Sequence, residues 1–405
     1  MIKETKILFI DSYYNSLYGA QKSMLNLAEK LKERNLEVVI ASVAQGDLLK
    51  EASYKGFNIF CFDLNYYLLR SISVNNTFLK KIWYLCVLFL TWCKILFKYI
   101  FQLKKYDVIC INDIRTCILL LPLIIIYQRK MIWYIRIREE QKKIVYILSH
   151  FFSTVIFISS DLQESTHLSK RTKTEKLLTG FPNHDLKLKE SILNEVKFVT
   201  VGSINARKNQ IEVLNVFKRL DKKINSKCTL DIIGSYEPED YDYYKTLEKK
   251  ISDDCLLKDK VQIKGYSNNV INELEEYDVF IFSSLREGLP RSVIEALQAG
   301  LYVIARPVDG IKDIILMDDL GFIYSRLDDF DDFTVNKISL YTKKKNLKQA
   351  RNAFVNNRFD NDKYVDNFLK IINSVLGKAK DRACTIASAI KWSTTGIPSR
   401  IPIIE

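Results

Sequence analysis

Short apolar runs separated by helical stretches recur along most of this chain, and that alternation constrains the fold more than any other feature. The first series is KILFI (6–10), VVIAS (38–42), YDVICIN (106–112), KMIWYIR (130–136) and TVIFISS (154–160). The second is VKFVTVG (196–202), CTLDIIGS (228–235), KVQIKG (260–265), DVFIFSS (278–284) and YVIAR (302–306). Runs this apolar read as strands covered on both faces, and helices between them argue for parallel sheets. The pattern breaks at GFPNHD, residues 180–185. The expected organisation is therefore an α/β domain over 1–184, a second over 185–360, and a helix and tail over 361–405. The helix should cross back to the first domain, and the tail after Gly377 matches no recognisable pattern. Ligands of such sheets sit at the carboxyl ends of the strands, here in the cleft between the domains.

Within the second series, the stretch FSSLREGLPRSVIEALQAGLYVIA (282–305) carries the most chemistry. Glu287 and Glu295 lie eight positions apart across a loop that turns into a helix. Gly288 frees the backbone in that loop. Pro290 keeps Leu289 out of the helical region and suits the first helical position. The first N–H groups of the helix lack internal acceptors and sit at the positive end of the dipole, so an anion is favoured there. Two carboxylates could then hold hydroxyls on either side of it, as a sugar–diphosphate–nucleoside requires. Upstream, VGSINARKNQ (201–210) follows a strand and places Arg207 and Lys208 before a helix. Fixed cations of this kind suit a diphosphate.

The run EGLPRSVIEALQAG, preceded by DVFIFSS, resembles the E-x7-E signature of the family 4 (group 1) retaining glycosyltransferases. The resemblance implies the GT-B fold, two Rossmann-like domains with parallel sheets facing across a cleft, the first for the acceptor and the second for a nucleotide-sugar donor. It implies that Glu287 faces the donor sugar, that Gly288 and Leu289 bring backbone near sugar and phosphate, and that Glu295 binds the ribose. The loop after Gly202 resembles the family's G-R-L…K-G/N loop, with Lys208 matching its lysine. Ser203 occupies the arginine's usual place, which leaves open whether Arg207 substitutes. IIGS, with Gly234, and KGYSNN, with Tyr266, match the segments that pack and frame the nucleotide. PVDGIKDII resembles the V-G-G-x-x-E-I-I loop, with Asp309 for the first glycine and Asp313 for the glutamate. In the first domain the resemblance is looser. Gly19 is the candidate glycine of the acceptor side, with Tyr18 where the family has another glycine. Arg136, in WYIR, matches the arginine of a W-H-x-R motif, with Tyr134 in the histidine's place.

Charge has its own distribution. The net charge is +13, and residues 71–150 contain thirteen Lys or Arg against four Asp or Glu. A nucleic-acid protein would carry such a balance on polar loops; here it is interleaved with apolar runs. Read as one helix, residues 75–105 align Lys80, Tyr84, Val87, Thr91, Lys94, Lys98, Gln102 and Lys105 on one stripe, with nearly everything else apolar. The uncharged run from Ile82 to Cys93 falls short of the roughly twenty residues needed to span a bilayer. Two readings remain open: a core helix with a lysine solvent face, or a helix docked on an anionic membrane.

Other chemistries find no support. There is no G-x-G-x-x-G, Walker loop or C-x-x-C pair, and His150, His167 and His184 form no metal or triad pattern. Asp240 and Asp242 form a D-x-D in an acidic, tyrosine-rich run that reads as a helix start. The start MIKETKILFI has no signal-peptide pattern, and the expectation is a reduced cytoplasmic protein, free or peripheral at the inner face of the plasma membrane. The sequence thus points to a glycosyltransferase of the hexosyltransferase type. It would move a sugar with retention to a saccharide or lipid-linked acceptor in cell-envelope polysaccharide synthesis, without a metal, cofactor or nucleic-acid partner. The alternatives are a nucleotide-sugar epimerase or phosphorylase of the same fold, and a non-catalytic basic protein binding anionic lipid or nucleic acid.

Overall fold

Each apolar run of the sequence becomes a parallel strand, all but the edge strand of KVQIKG mostly buried, in the computed structural model, which describes residues 5–15, 17–69, 78–188, 195–342 and 344–394. The first sheet contains β1 (Lys6–Asp11), β2 (Glu37–Ser42), β3 (Asn58–Cys61), β4 (Val108–Ile111), β5 (Met131–Ile135), β6 (Thr154–Phe157) and β7 (Lys173–Lys176). Its order is β3-β2-β1-β4-β5-β6-β7. The second contains β8 (Glu195–Val201), β9 (Lys227–Ile233), β10 (Val261–Gly265), β11 (Val279–Phe282), β12 (Tyr302–Ala305) and β13 (Gly321–Ile323), in the order β10-β9-β8-β11-β12-β13. All neighbours run parallel. Both sheets are doubly wound, and the strand order reverses beside β1 and β4 in one and beside β8 and β11 in the other. Ligands of doubly wound sheets bind at such switch points, outside the carboxyl ends of the strands.

Strands β3, β7 and β13 were not legible as apolar runs. Each lies at a sheet edge, where one flank lacks a partner strand and a continuous apolar run is not required. The sequence KTEK of β7 shows this most plainly: its side chains are alternately half-buried and exposed.

One continuous core runs through both domains. Phe9 and Ile10 of β1 share it with Phe282, Leu289, Val293 and Ile294 of the second domain. The helix Asn361–Thr394 closes it by returning to the first sheet. Phe368 stacks 6.0 Å from Phe9, and the Tyr364 hydroxyl lies 3.4 Å from that of Tyr134. Full burial of a side chain such as Phe368 stabilises by about 1.5–3 kcal/mol, so this return fastens the chain's two ends together. Residues 395–405 of the tail lie outside the described residues. A second cluster around Phe198, Phe217, Val279 and Tyr302 fills the other side of the second sheet.

The basic apolar segment forms the helix Phe78–Leu103; residues 75–77 of the expected helix lie outside the described residues. Its orientation corrects the sequence reading. Thr91 of the supposed solvent stripe is buried, and Tyr84 and Val87 pack against the core. The buried side is centred on Leu88, Thr91, Ile95, Tyr99 and Leu103, while large apolar side chains face outward. The stripe was drawn from polarity alone, but Thr91 satisfies its hydroxyl within the helix by donating to the Val87 carbonyl at 2.7 Å, so it can be buried.

Candidate functional site

The loop between β11 and the helix Arg291–Gln298 is held by the loop after β8. Leu285 N–H donates to the Arg207 carbonyl at 2.8 Å, and the Ser283 hydroxyl reaches the carbonyls of Lys208 and Asn209 at 3.0 and 2.8 Å. Asn209 has φ 55°, a left-handed residue that asparagine tolerates, and it turns the chain into the helix Gln210–Asp221. This strap brings three sequence-predicted residues together. Lys208 Nζ donates to Glu287 Oε1 at 2.8 Å, and Arg207 Nη1 donates to the same oxygen at 3.1 Å. Two cations face one carboxylate, so the cluster keeps an excess positive charge. It lies just before the helix Arg291–Gln298, whose N-terminus has no side-chain cap. Pro290 is the residue flanking this helix, not its first member, a shift of one position within the usual spread of helix ends.

Gly202 and Gly234 end β8 and β9 back to back. A Cβ on Gly234 would lie 2.0 Å from the Gly202 carbonyl oxygen, and one on Gly202 would rest 3.4 Å from Lys208 Cε. Both have φ near 150°, a region that only glycine enters readily. Tyr266 follows the edge strand β10 and is largely exposed, while Leu289 is buried in the core. The site therefore keeps the Leu289 backbone within reach and turns its side chain inward.

The loop that carries Glu287 and Gly288 also touches the first domain. A Cβ on Gly288 would lie 1.8 Å from the Arg136 carbonyl oxygen. Gly288 is not among the positive-φ glycines, so close approach, not backbone freedom, requires glycine here. Arg136 leaves the end of β5 with its guanidinium 4.6 Å over the Tyr134 ring and Nε donating to Asn112 Oδ1 at 3.3 Å. Its Nη2 is buried without a hydrogen-bond partner among the described residues, a donor whose satisfaction calls for an explanation.

Gly19 opens the helix Gly19–Glu33, where a Cβ would meet Arg291 Cδ at 3.0 Å. Arg291 was not singled out from the sequence. Its Nη1 donates to Ser23 Oγ at 2.9 Å across the cleft, and its Nη2 lies 3.5 Å from Glu295 Oε1. Burial raises the Glu295 pKa, and Arg291, Lys22 and Lys208 pull it down. An acid in this setting gains from a hydroxyl donor.

The structure adds an acidic group at the first switch point. Asp11, at the end of β1, is buried close to Asp113, and burial together with that second carboxylate pushes its pKa up to about 7. It accepts from Tyr13 N–H at 2.8 Å and Gln21 Nε2 at 2.9 Å. Asp113 accepts from Ser12 and Thr116. Glu139 is likewise pushed up to about 7 by burial and Asp113. Their signal was positional: Asp11 and Asp113 follow apolar runs at strand carboxyl ends, where polar side chains face the crevice.

Other sequence matches serve the domain junction. Asp313 accepts from Ser160 N–H and Oγ at 2.6 and 2.7 Å, and Asp309 pairs with Arg138 at 2.5 Å. In this conformation both carboxylates are engaged by the first domain, not open to a ligand. His184 bonds Glu275 at 2.8 Å, His150 and His167 are exposed, and Asp240–Asp242 spans the start of the helix Tyr241–Ser252.

The family comparison falls on the half that holds this cation–carboxylate cluster. Residues 185–357 match the family model described as glycosyl transferases group 1. The matched segment contains Arg207, Lys208, Glu287 and Glu295. The chain is 27% identical over 175 residues to the capsular polysaccharide biosynthesis glycosyltransferase CapH of Staphylococcus aureus, covering 42% of this chain and 48% of that one. It is 29% identical over 178 residues to the UDP-Gal:alpha-D-GlcNAc-diphosphoundecaprenol alpha-1,3-galactosyltransferase of Escherichia coli, covering 42% and 44%. The chain spans less than half the length of these two relatives. Likeness of fold extends further. Anabaena HepE, solved in complex with UDP, superposes with a TM-score of 0.71 at 16% identity, covering 91% of this chain and all of that one. The fold is GT-B.

Proposed function

We propose that this protein is a retaining glycosyltransferase of family 4 that moves a hexose from a nucleotide-sugar donor to a saccharide or lipid-linked acceptor in cell-envelope polysaccharide synthesis. The observation that carries the reading is the convergence of Lys208 and Arg207 on Glu287 beside an uncapped helix N-terminus. A bound diphosphate would take over the two cations and the free N–H groups, releasing Glu287 to accept hydrogen bonds from sugar hydroxyls. Charge gathering on the departing nucleoside diphosphate would then meet fixed donors, which is electrostatic stabilisation of a leaving group. Lys208 and Arg207 supply the positive charge that a divalent metal supplies elsewhere, so the reaction is proposed to need no metal. Glu295, half-buried, suits the ribose hydroxyls, and Gly202, Gly234 and Tyr266 suit the base and its ribose. Gly19, Arg136 and the Asp11–Asp113 group line the acceptor side.

The relatives support the substrate classes: one is named for capsular polysaccharide and one for a diphosphoundecaprenol-linked acceptor. Solved neighbours hold UDP and UDP-glucose, which supports a uridine nucleotide donor and action on the cytoplasmic side, where such donors are made. The test is incubation with a panel of nucleotide sugars and a diphosphoundecaprenol-linked saccharide, followed by mass spectrometry of products and NMR of the new anomeric centre. Transfer with retention is expected. Epimerised nucleotide sugar without transfer would make the protein an epimerase, and no binding of any nucleotide sugar would end the enzymatic reading.

A further inference from the structure

We propose that the outer face of the helix Phe78–Leu103 inserts into the interfacial layer of an anionic lipid membrane and holds the first domain against it. The aromatic side of the helix makes the contact, and the lysines flank it. Leu79, Trp83, Leu90, Phe97 and Phe101 recur at spacings of four and seven, so they form one stripe. Trp83 is 61% exposed, Phe97 88% and Phe101 82%. No soluble fold gains by displaying such a row to water, and contiguous apolar patches of this kind mark contact surfaces. The neighbouring helix Leu121–Tyr127 packs on the same helix and adds the exposed Ile125 and Ile126.

Charge selects the occupant. From Leu64 to Tyr106 the chain has no Asp or Glu. Lys80, Lys81, Lys94 and Lys98 lie exposed along the helix, and none forms an ion pair with a described residue. Lys80 and Lys98 sit at the border between the apolar stripe and the domain, where their ammonium groups can reach lipid phosphates while the stems cover apolar surface. A second copy of this chain would bring the same lysines against each other, so self-association is disfavoured. Aromatic rings at the level of the headgroups and lysines at their rim fit an anionic bilayer surface.

The helix is long and apolar enough to span a bilayer by composition, but its fastening argues for lying flat. Trp92 Nε1 donates to the Ile118 carbonyl at 3.1 Å, the Tyr99 hydroxyl to that of Phe62 at 2.6 Å, the Tyr127 hydroxyl to that of Ile100, and Lys130 Nζ to that of Leu103 at 2.8 Å. Ile95 and Tyr99 are buried in the domain core. Crossing the bilayer would break these contacts and expose that core.

The test is flotation with vesicles of phosphatidylcholine, with and without about a third phosphatidylglycerol, using the full chain. The wild type should float with the anionic vesicles and be released by an alkaline wash. The triple variant Trp83→Ser/Phe97→Ser/Phe101→Ser should lose at least tenfold in binding while keeping its melting temperature. Should that variant misfold, Lys94→Glu/Lys98→Glu gives the same reading, with at least tenfold weaker binding expected. Wild type that ignores anionic vesicles, or variants that bind unchanged, would overturn the proposal. Retention through the alkaline wash would make the helix a membrane span instead. A dimer dissolved by the same substitutions, without vesicle binding, would assign the face to a second copy. None of these outcomes depends on sugar transfer.

Discussion

The carbonyl oxygen of Arg136 occupies the space that a side chain on Gly288 would need, with a Cβ only 1.8 Å away. This one contact sets the end of β5 in the first domain directly against the Glu287–Gly288 loop of the second. Arg136 and Glu287, chosen from separate motifs, are therefore parts of one cleft.

Gly288→Ala should push the domains apart locally. Backbone is the obstruction, so no side chain can swing aside, and overpacking of this kind costs about 1–3 kcal/mol. We expect a lower melting temperature and a weakened nucleotide affinity together. A variant with wild-type stability and affinity would mean that the junction yields freely and that the contact sets nothing.

Lys208→Ala should reduce turnover by about a hundredfold, the scale of losing one donor to developing charge, while affinity for the free nucleoside changes little. Arg207→Ala should do less, because its side chain is more exposed, 46% against 19%. Transfer rates and nucleoside titrations for both variants, repeated in excess chelator, provide the check. Activity that collapses with chelator would show that these cations do not suffice for the leaving group.

Glu295→Ala should weaken nucleoside-diphosphate binding by roughly 1.5–3 kcal/mol, the worth of a hydrogen bond to a charged group. The fold should persist, since Arg291 keeps its bond to Ser23. Calorimetric titration with UDP decides the matter: an unchanged dissociation constant in the folded variant removes Glu295 from the nucleotide site.

Asp11 gives a pH dependence of definite sign. Its carboxyl is pushed from 3.8 up to about 7 in the fold, so between these values the folded chain binds more protons than the unfolded one. Its contribution to stability is present in full below about pH 4 and is lost as pH rises through 7. At most this contributes a slope of about 1.4 kcal/mol per pH unit. Asp11→Asn should therefore flatten stability measured by denaturant unfolding between pH 5 and 8, with Glu139 supplying what slope remains. An unaltered slope would place the titration elsewhere.

The candidate residues that the sequence located were those in which local chemistry and position along the chain coincide. Glu287, Glu295 and Lys208 sit beside strand ends and helix starts, and the same covalent neighbourhood that fixes the turn also aims the side chain. Arg291 was overlooked inside the same motif because its partner, Ser23, is 268 positions away. Asp309 and Asp313 resembled ligand-binding positions, yet partners from the first domain engage them, and no local pattern reports such distant contacts.

By itself the sequence determined the two parallel sheets and the cation–carboxylate loops. Buried strands must be apolar on both faces, and tight turns require particular residues. Only the tertiary structure decided which side of the helix Phe78–Leu103 faces the core. Periodicity shows that the helix has two kinds of face, but both of its candidate faces were apolar enough to bury. The choice fell to Leu88, Ile95 and Tyr99, because they match the surface that Phe62 and Ile118 present. That complementarity of shape and hydrogen bonds exists only once the distant segments meet.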